Sequence, residues 1–217
     1  MPDFSLNWRP SRHEHAARPL ADRAEELRAA LQLQDPCQVA ANSGVSFLDL
    51  GSGHGELHIP LWDKVYKLSW PELNCSEEEA LPPAFQQTLL LYYLNTADGA
   101  PATGRWVSFA DLPEGRFYHL AFQGYTGDEV VKAFGGYIDS FRWACRSAGG
   151  SEFAAGDASY IFQALPRLSL MMTYWLGDED FPSSCKVLFD ESACHYLPID
   201  GCALMGSSLV RRLLRPV

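Results

Sequence analysis

No apolar run in this chain approaches the ~20 residues that a membrane-crossing helix needs, although 47% of its 217 residues are hydrophobic. Charge is also scarce, at 20% of residues, and no basic cluster is longer than Arg211-Arg212. With a net charge of −10, nucleic acid and anionic membranes are repelled on average, so neither is an expected partner. No serine-nucleophile elbow, phosphate loop or zinc-finger spacing occurs. Internal repeats and low-complexity segments are missing too. The N-terminus, MPDFSLNWRPSRHEHAARP, has no continuous apolar core, so no secretory signal is expected. Cys37, Cys75, Cys145, Cys185, Cys194 and Cys202 include no CxxC pair. Reduced thiols in a cytoplasmic protein follow from that pattern.

What is present reads as one α+β domain over residues 18–217, behind an extended polar arm over 1–17. The sheet is expected to be mainly antiparallel, with flanking helices and an N-terminal helical segment. Leu20, Ala24, Leu27 and Leu31 form one apolar stripe, predicting a helix from Pro19 to Gln32. Asp35-Pro36-Cys37-Gln38 restarts a helix, with Asp35 as its cap and Gln38 placed to close a capping box. Ser76 to Glu79 reads as a second capping box. A largely buried helix then runs from Ala84 to Asn95, apolar around most of its circumference. Phe117 to Phe122 fits either a strand or a helix. A third capping box, Thr126 to Glu129, opens a helix reaching about Arg146. Gly135-Gly136 in its middle costs about 2 kcal/mol against alanine, so it bends there or meets a close neighbour. The last helix is expected from Asp200 to Leu214, with Asp200 as cap.

Between Leu48 and Gly55 lies LDLGSGHG, which resembles the first motif of the S-adenosylmethionine-dependent methyltransferases. In that family an acidic residue, here Asp49, ends a strand and a glycine loop enters a helix. The context differs, because Pro60 and the alternation of Leu57, Ile59 and Leu61 oppose a helix after Gly55. Antiparallel strands joined by glycine turns suit these residues better. The apolar phase switches from odd to even between Leu61 and Tyr66, marking a turn or bulge at Trp62-Asp63-Lys64. An extended 54–58 puts His54, Glu56 and His58 on one face, a possible three-ligand metal site or a solvated polar edge.

The stretch from Gly156 to Pro198 holds the most apolar segment. Leu168, Leu170, Met172, Tyr174 and Leu176 recur at every second position, predicting a strand buried on one face and largely covered on the other. Gly177-Asp178-Glu179-Asp180 then forms a wet acidic turn, and Lys186 to Phe189 a second short strand.

LLLYYLNTADG at 89–99, GRWVSFADLPEGRFYHLAF at 104–122, GDEDFP at 177–182 and VLFDESACHYLP at 187–198 occur in an order that resembles domain of unknown function 3786. The resemblance spans roughly 20–215. It implies a bacterial or archaeal protein, largely from anaerobes. Some members join this domain to an iron–sulfur segment like that of corrinoid methyl-transfer proteins, a spacing these cysteines lack. The resemblance transfers no catalytic residue. It implies a weak link to anaerobic one-carbon or corrinoid metabolism.

Two function classes follow. One is a non-enzymatic binding or accessory module for a corrinoid or haem-type cofactor or a protein partner. His195 would then be an axial ligand beside the aromatic Tyr174 and Trp175. The other is a metal-dependent enzyme using His54, Glu56 and His58, or the acidic turn with His195. In that class His195 is a general base beside Asp190 or Glu191.

Overall fold

Period-two alternation builds two antiparallel sheets, and helical stripes build the layers that cover them. The chain is described by a computed structural model over residues 14–75 and 83–215. Its elements are α1 (Glu14–Leu31), α2 (Pro36–Ser43), β1 (Ser46–Gly51), β2 (His54–Leu61), β3 (Lys64–Trp70), α3 (Pro83–Thr96), β4 (Trp106–Ser108), α4 (His119–Tyr125), α5 (Gly127–Phe134), α6 (Ile138–Ser147), β5 (Ser151–Phe153), β6 (Ala158–Leu165), β7 (Leu168–Trp175), β8 (Ser184–Asp190) and α7 (Ile199–Leu213). The first sheet runs β1-β2-β3 and the second β4-β8-β7-β6-β5, with antiparallel pairing throughout. This is the α+β class with an antiparallel sheet. The capping box expected over Ser76 to Glu79 and most of the N-terminal arm lie outside the described residues.

The expected phase switch is a hairpin in which Leu61 pairs with Lys64. Trp62 sits in its turn at φ 57° and donates its backbone N–H to Ala164 of β6 at 2.8 Å, so the tip of one sheet is pinned to the other. Helix α3 lies inside, with Leu89 through Leu94 each 5% exposed or less. A helix apolar all round must be covered all round, and residues of both sheets and of α1, α2 and α7 join its cluster.

Several elements differ from expectation. α1 begins at Glu14, ahead of Pro19. Asp35 caps α2 as read, accepting from Cys37 N at 3.1 Å, but Gln38 bonds forward to Asn42 at 2.8 Å and closes no box. The long helix over 126–146 is broken into α5 and α6. Gly135 takes φ 51° and no neighbour crowds it, so the backbone angle, not packing, is what requires glycine there. Its freed carbonyl accepts from Tyr174 Oη at 2.5 Å. Thr126 turns its hydroxyl back to Phe122 O, so that box does not form either. Phe117–Phe122 resolves as the entry to α4. β6 and β5 on one side and β4 on the other extend the expected pair of strands into five. α7 starts at Ile199 with Pro198 at the cap position, so Asp200 lies in the first turn.

The short edge strand β4 covers only Leu188–Asp190 of β8. Beyond it the open edge is covered by the α4–α5 junction. Gln123 Nε2 donates to Cys185 O at 3.0 Å, and a Cβ on Gly127 would stand 2.0 Å from that oxygen. Gly127→Ala is therefore expected to push α5 off the sheet edge at a cost of about 1–3 kcal/mol, read as a lower urea midpoint with an unchanged slope.

Candidate functional site

The loop from Ala97 to Arg105, between α3 and β4, is stitched to the 3₁₀ turn Glu191–His195 that follows β8. Asp190 makes the main stitch. Only 5% exposed, its carboxylate accepts from Thr103 N at 3.0 Å, Thr103 Oγ1 at 3.1 Å and Gly104 N at 2.7 Å. It also accepts from Ser192 N at 2.9 Å and Ser192 Oγ at 2.6 Å. Burial pushes this carboxyl up, but the Ser192, Thr103 and Gly104 hydrogen bonds outweigh it and hold it below the usual range. Arg105 pairs with Glu191, and Tyr196 Oη donates to Ala100 O.

These ties set Asp98 against His195, with Oδ2 2.6 Å from Nδ1. Asp98 Oδ1 accepts from Ala100 N at 2.9 Å, which fixes the carboxylate's direction. The hydrogen bond with His195 is the main cause of the lowered Asp98 pKa. An ionised carboxylate only accepts, so in the neutral imidazole Nδ1 carries the proton and Nε2 the lone pair. The pair is accessible, with side chains 47% and 54% exposed for His195 and Asp98. Behind it Tyr196 is buried, its ring centroid 5.9 Å from that of Tyr93. Tyr93 Oη accepts from Arg167 N at 3.1 Å, which brings the β6–β7 turn to the same place. Among the described residues the exposed Arg167 guanidinium meets no carboxylate and bonds Ala41 O at 3.4 Å.

The expected site residues do not gather. His195 partners Asp98, not Asp190 or Glu191. Asp190 spends its carboxylate on the loop and Glu191 on Arg105. Tyr174 is 0% exposed and pairs with Cys185 near the start of β8. Trp175 follows it on the opposite face. His195 lies beyond the other end of β8, about 17 Å away at ~3.3 Å per residue. Tyr174, Trp175 and His195 therefore cannot wall one cofactor.

His54, Glu56 and His58 share a strand face as read. His58 Nε2 lies 3.1 Å from Glu56 Oε2, while His54 faces Glu72 at 3.9 Å. Among the described residues no group of three His, Cys, Asp or Glu is placed to hold a metal ion, the acidic turn included. LDLGSGHG forms the β1–β2 hairpin, with Asp49 Oδ1 accepting from Gly51 N at 2.8 Å. No helix follows that glycine turn. None of the six cysteines is in a disulfide, and burial raises the thiol pKa of Cys145, Cys185 and Cys202. No helix among the described residues is long and apolar enough to cross a membrane.

Asp98 and Arg167 went unread as site residues. Asp98-Gly99 looks like an ordinary helix stop, and the contact that gives Asp98 its role spans 97 residues of sequence.

Fold and site together define an α+β protein whose surface presents a carboxylate-oriented histidine. The family-model scan matches residues 35–212 to a domain of unknown function, DUF3786, and the chain belongs to that family. No curated protein and no solved structure matches the chain.

Proposed function

We propose that the protein is a non-enzymatic binding module that offers His195 Nε2 to the metal of a corrinoid- or tetrapyrrole-type cofactor. The observation that carries this is the 2.6 Å Asp98–His195 contact on an accessible surface. A histidine that ligates metal characteristically gives its other ring nitrogen to a carboxylate, which fixes the tautomer and raises ligand basicity. The donor chemistry thus fits one axial position. The aromatic residues expected to enclose the macrocycle do not fit, because Tyr174 is sealed in the core. The cofactor would meet His195 at the surface, the rest of its envelope coming from a partner protein that carries it. This is an accessory role, and the family's implied link to anaerobic corrinoid metabolism makes cobalamin the first macrocycle to offer.

The test is a visible-absorption titration with cobalamin and with haem, without oxygen. A ligand-dependent spectral shift is expected for the native protein, with none for His195→Ala. Asp98→Asn is expected to weaken binding about 10–100-fold, since it removes the orienting partner and leaves the donor. An equal shift in native protein and His195→Ala rejects the proposal. The same oriented imidazole suits a general base, and that reading gains if neither macrocycle shifts at all.

A further inference from the structure

We propose that the C-terminal end of α7 binds the phosphoryl group of a small metabolite that also carries a flat ring. This goes beyond the cofactor reading and does not depend on it.

Two adjoining clefts lie at that end of the helix. The narrower, of about 70 Å³, is lined by Trp62, Asp63 and Lys64 of the β2–β3 hairpin and by Arg211, Arg212 and Arg215. The wider, of about 180 Å³, opens against α6, where Trp143, Ser147 and Ala148 meet Arg212 and Arg215. Both arginines line both clefts, so one ligand can occupy the two together.

Cations are in excess here. Residues 201–215 carry three arginines and no Asp or Glu. Among the described residues Asp63 is the one carboxylate lining either cleft, and Arg212 Nη1 takes it at 2.8 Å. Arg212 Nε donates to Ala148 O at 3.0 Å, which leaves Nη2 without a bond among the described residues. Arg211 is half-buried over the Phe85 ring, 4.6 Å from its centroid, and donates to Ser207 O at 3.3 Å and Ser207 Oγ at 3.0 Å. Arg215 is exposed and has no hydrogen bond or ion pair among the described residues. Burial first, and then the Arg215 charge, lower the Arg211 pKa, so the two guanidiniums repel each other across a partly dry space.

The negative end of a helix favours cations. That alone does not explain this cluster, because no guanidinium bonds a carbonyl of the last turn; Arg211 turns back to Ser207 and Arg212 crosses to Ala148. An anion relieves the repulsion, and the planar guanidinium fork matches the oxygens of a phosphoryl group. The net charge of −10 repels polyanions beyond the cleft, so the anion is small. Trp143 supplies the second half of the site. It is 57% exposed, and α6 packs through Phe141, Ala144 and Cys145 instead. An exposed indole walling the wider cleft is a stacking surface for a ring.

Calorimetric titration of the whole chain at low ionic strength, with inorganic phosphate, ribose 5-phosphate and adenosine 5′-monophosphate, tests this. All three are expected to bind, the adenosine compound about fivefold or more tighter than ribose 5-phosphate because it adds a ring to stack. Arg215→Ala is expected to weaken all three about tenfold. Its thermal midpoint is expected to stay unchanged, since that side chain holds nothing in the fold. Trp143→Ala is expected to remove the advantage of adenosine 5′-monophosphate and to leave inorganic phosphate binding as it was. No binding of any probe, binding that Arg215→Ala leaves intact, or adenosine 5′-monophosphate no tighter than ribose 5-phosphate overturns the proposal.

Discussion

Replacing Asp190 with alanine is expected to lower folding stability by about 3–5 kcal/mol and to free the Ala97–Arg105 loop from the sheet. Five hydrogen bonds converge on this one buried carboxylate, three from Thr103 and Gly104 and two from Ser192. Alanine leaves their donors unpaired where water enters poorly, and unpaired buried donors cost more than the bonds themselves contribute. Urea unfolding measures the loss. Histidine NMR of the same variant is expected to show His195 released from Asp98, because the loop alone brings Asp98 there. The pH dependence follows from the sign of the shift. Asp190 is depressed in the fold, so its stabilisation is complete above the unfolded carboxyl value of ~3.9. It is lost as pH falls through the lower folded value. The native protein is therefore expected to lose stability on that acid limb, and Asp190→Asn to lose less of it.

The second large effect is expected at Phe141. Its side chain is 0% exposed and joins α6 to the five-stranded sheet. Its ring centroid lies 4.8 Å from Tyr174, 6.1 Å from Tyr160 and 5.8 Å from Phe134. Phe141→Ala removes those contacts and leaves a cavity that strands cannot close, because their spacing is fixed by hydrogen bonds. A loss of about 3–5 kcal/mol is expected by denaturant unfolding. Phe141→Leu, which keeps most of the volume, is expected to lose about 1–2 kcal/mol. Equal losses for the two would mean that the ring contacts, and not the filled volume, carry the stabilisation.

The parts legible in the sequence were those fixed locally. The α2 cap needs only Asp35 and Pro36 in order. The β2–β3 turn shows as a change of apolar phase, because one face of each strand is buried. β7 reads from the alternation of Leu168, Leu170, Met172 and Tyr174, although Met171 and Thr173 on its other face are buried too. β6 was missed because Ala158, Ser159, Tyr160, Phe162, Ala164 and Leu165 are all buried, so both faces are covered and the alternation disappears. The break between α5 and α6 was half visible. Gly135-Gly136 marked the place, but only the Tyr174 hydroxyl waiting for the Gly135 carbonyl shows why the backbone opens there. His195 was singled out as a residue of chemical interest beside Asp190 or Glu191, and the structure sets it against Asp98 instead. Asp190 and Glu191 are near in sequence, and Asp98 is near only after α3, the loop and β8 have packed. Tyr174 looked like a binding aromatic because a period-two pattern states which residues share a face and not which face is sealed.

The most direct measurement is nitrogen NMR of the neutral His195 imidazole, with and without diamagnetic cobalt(III) cobalamin. The account requires a proton on Nδ1 and a bare Nε2 in the free protein, with the Nε2 resonance displaced by the cofactor and Nδ1 still protonated against Asp98. A proton on Nε2 in the free protein, or an Nε2 resonance that cobalamin leaves in place, contradicts it.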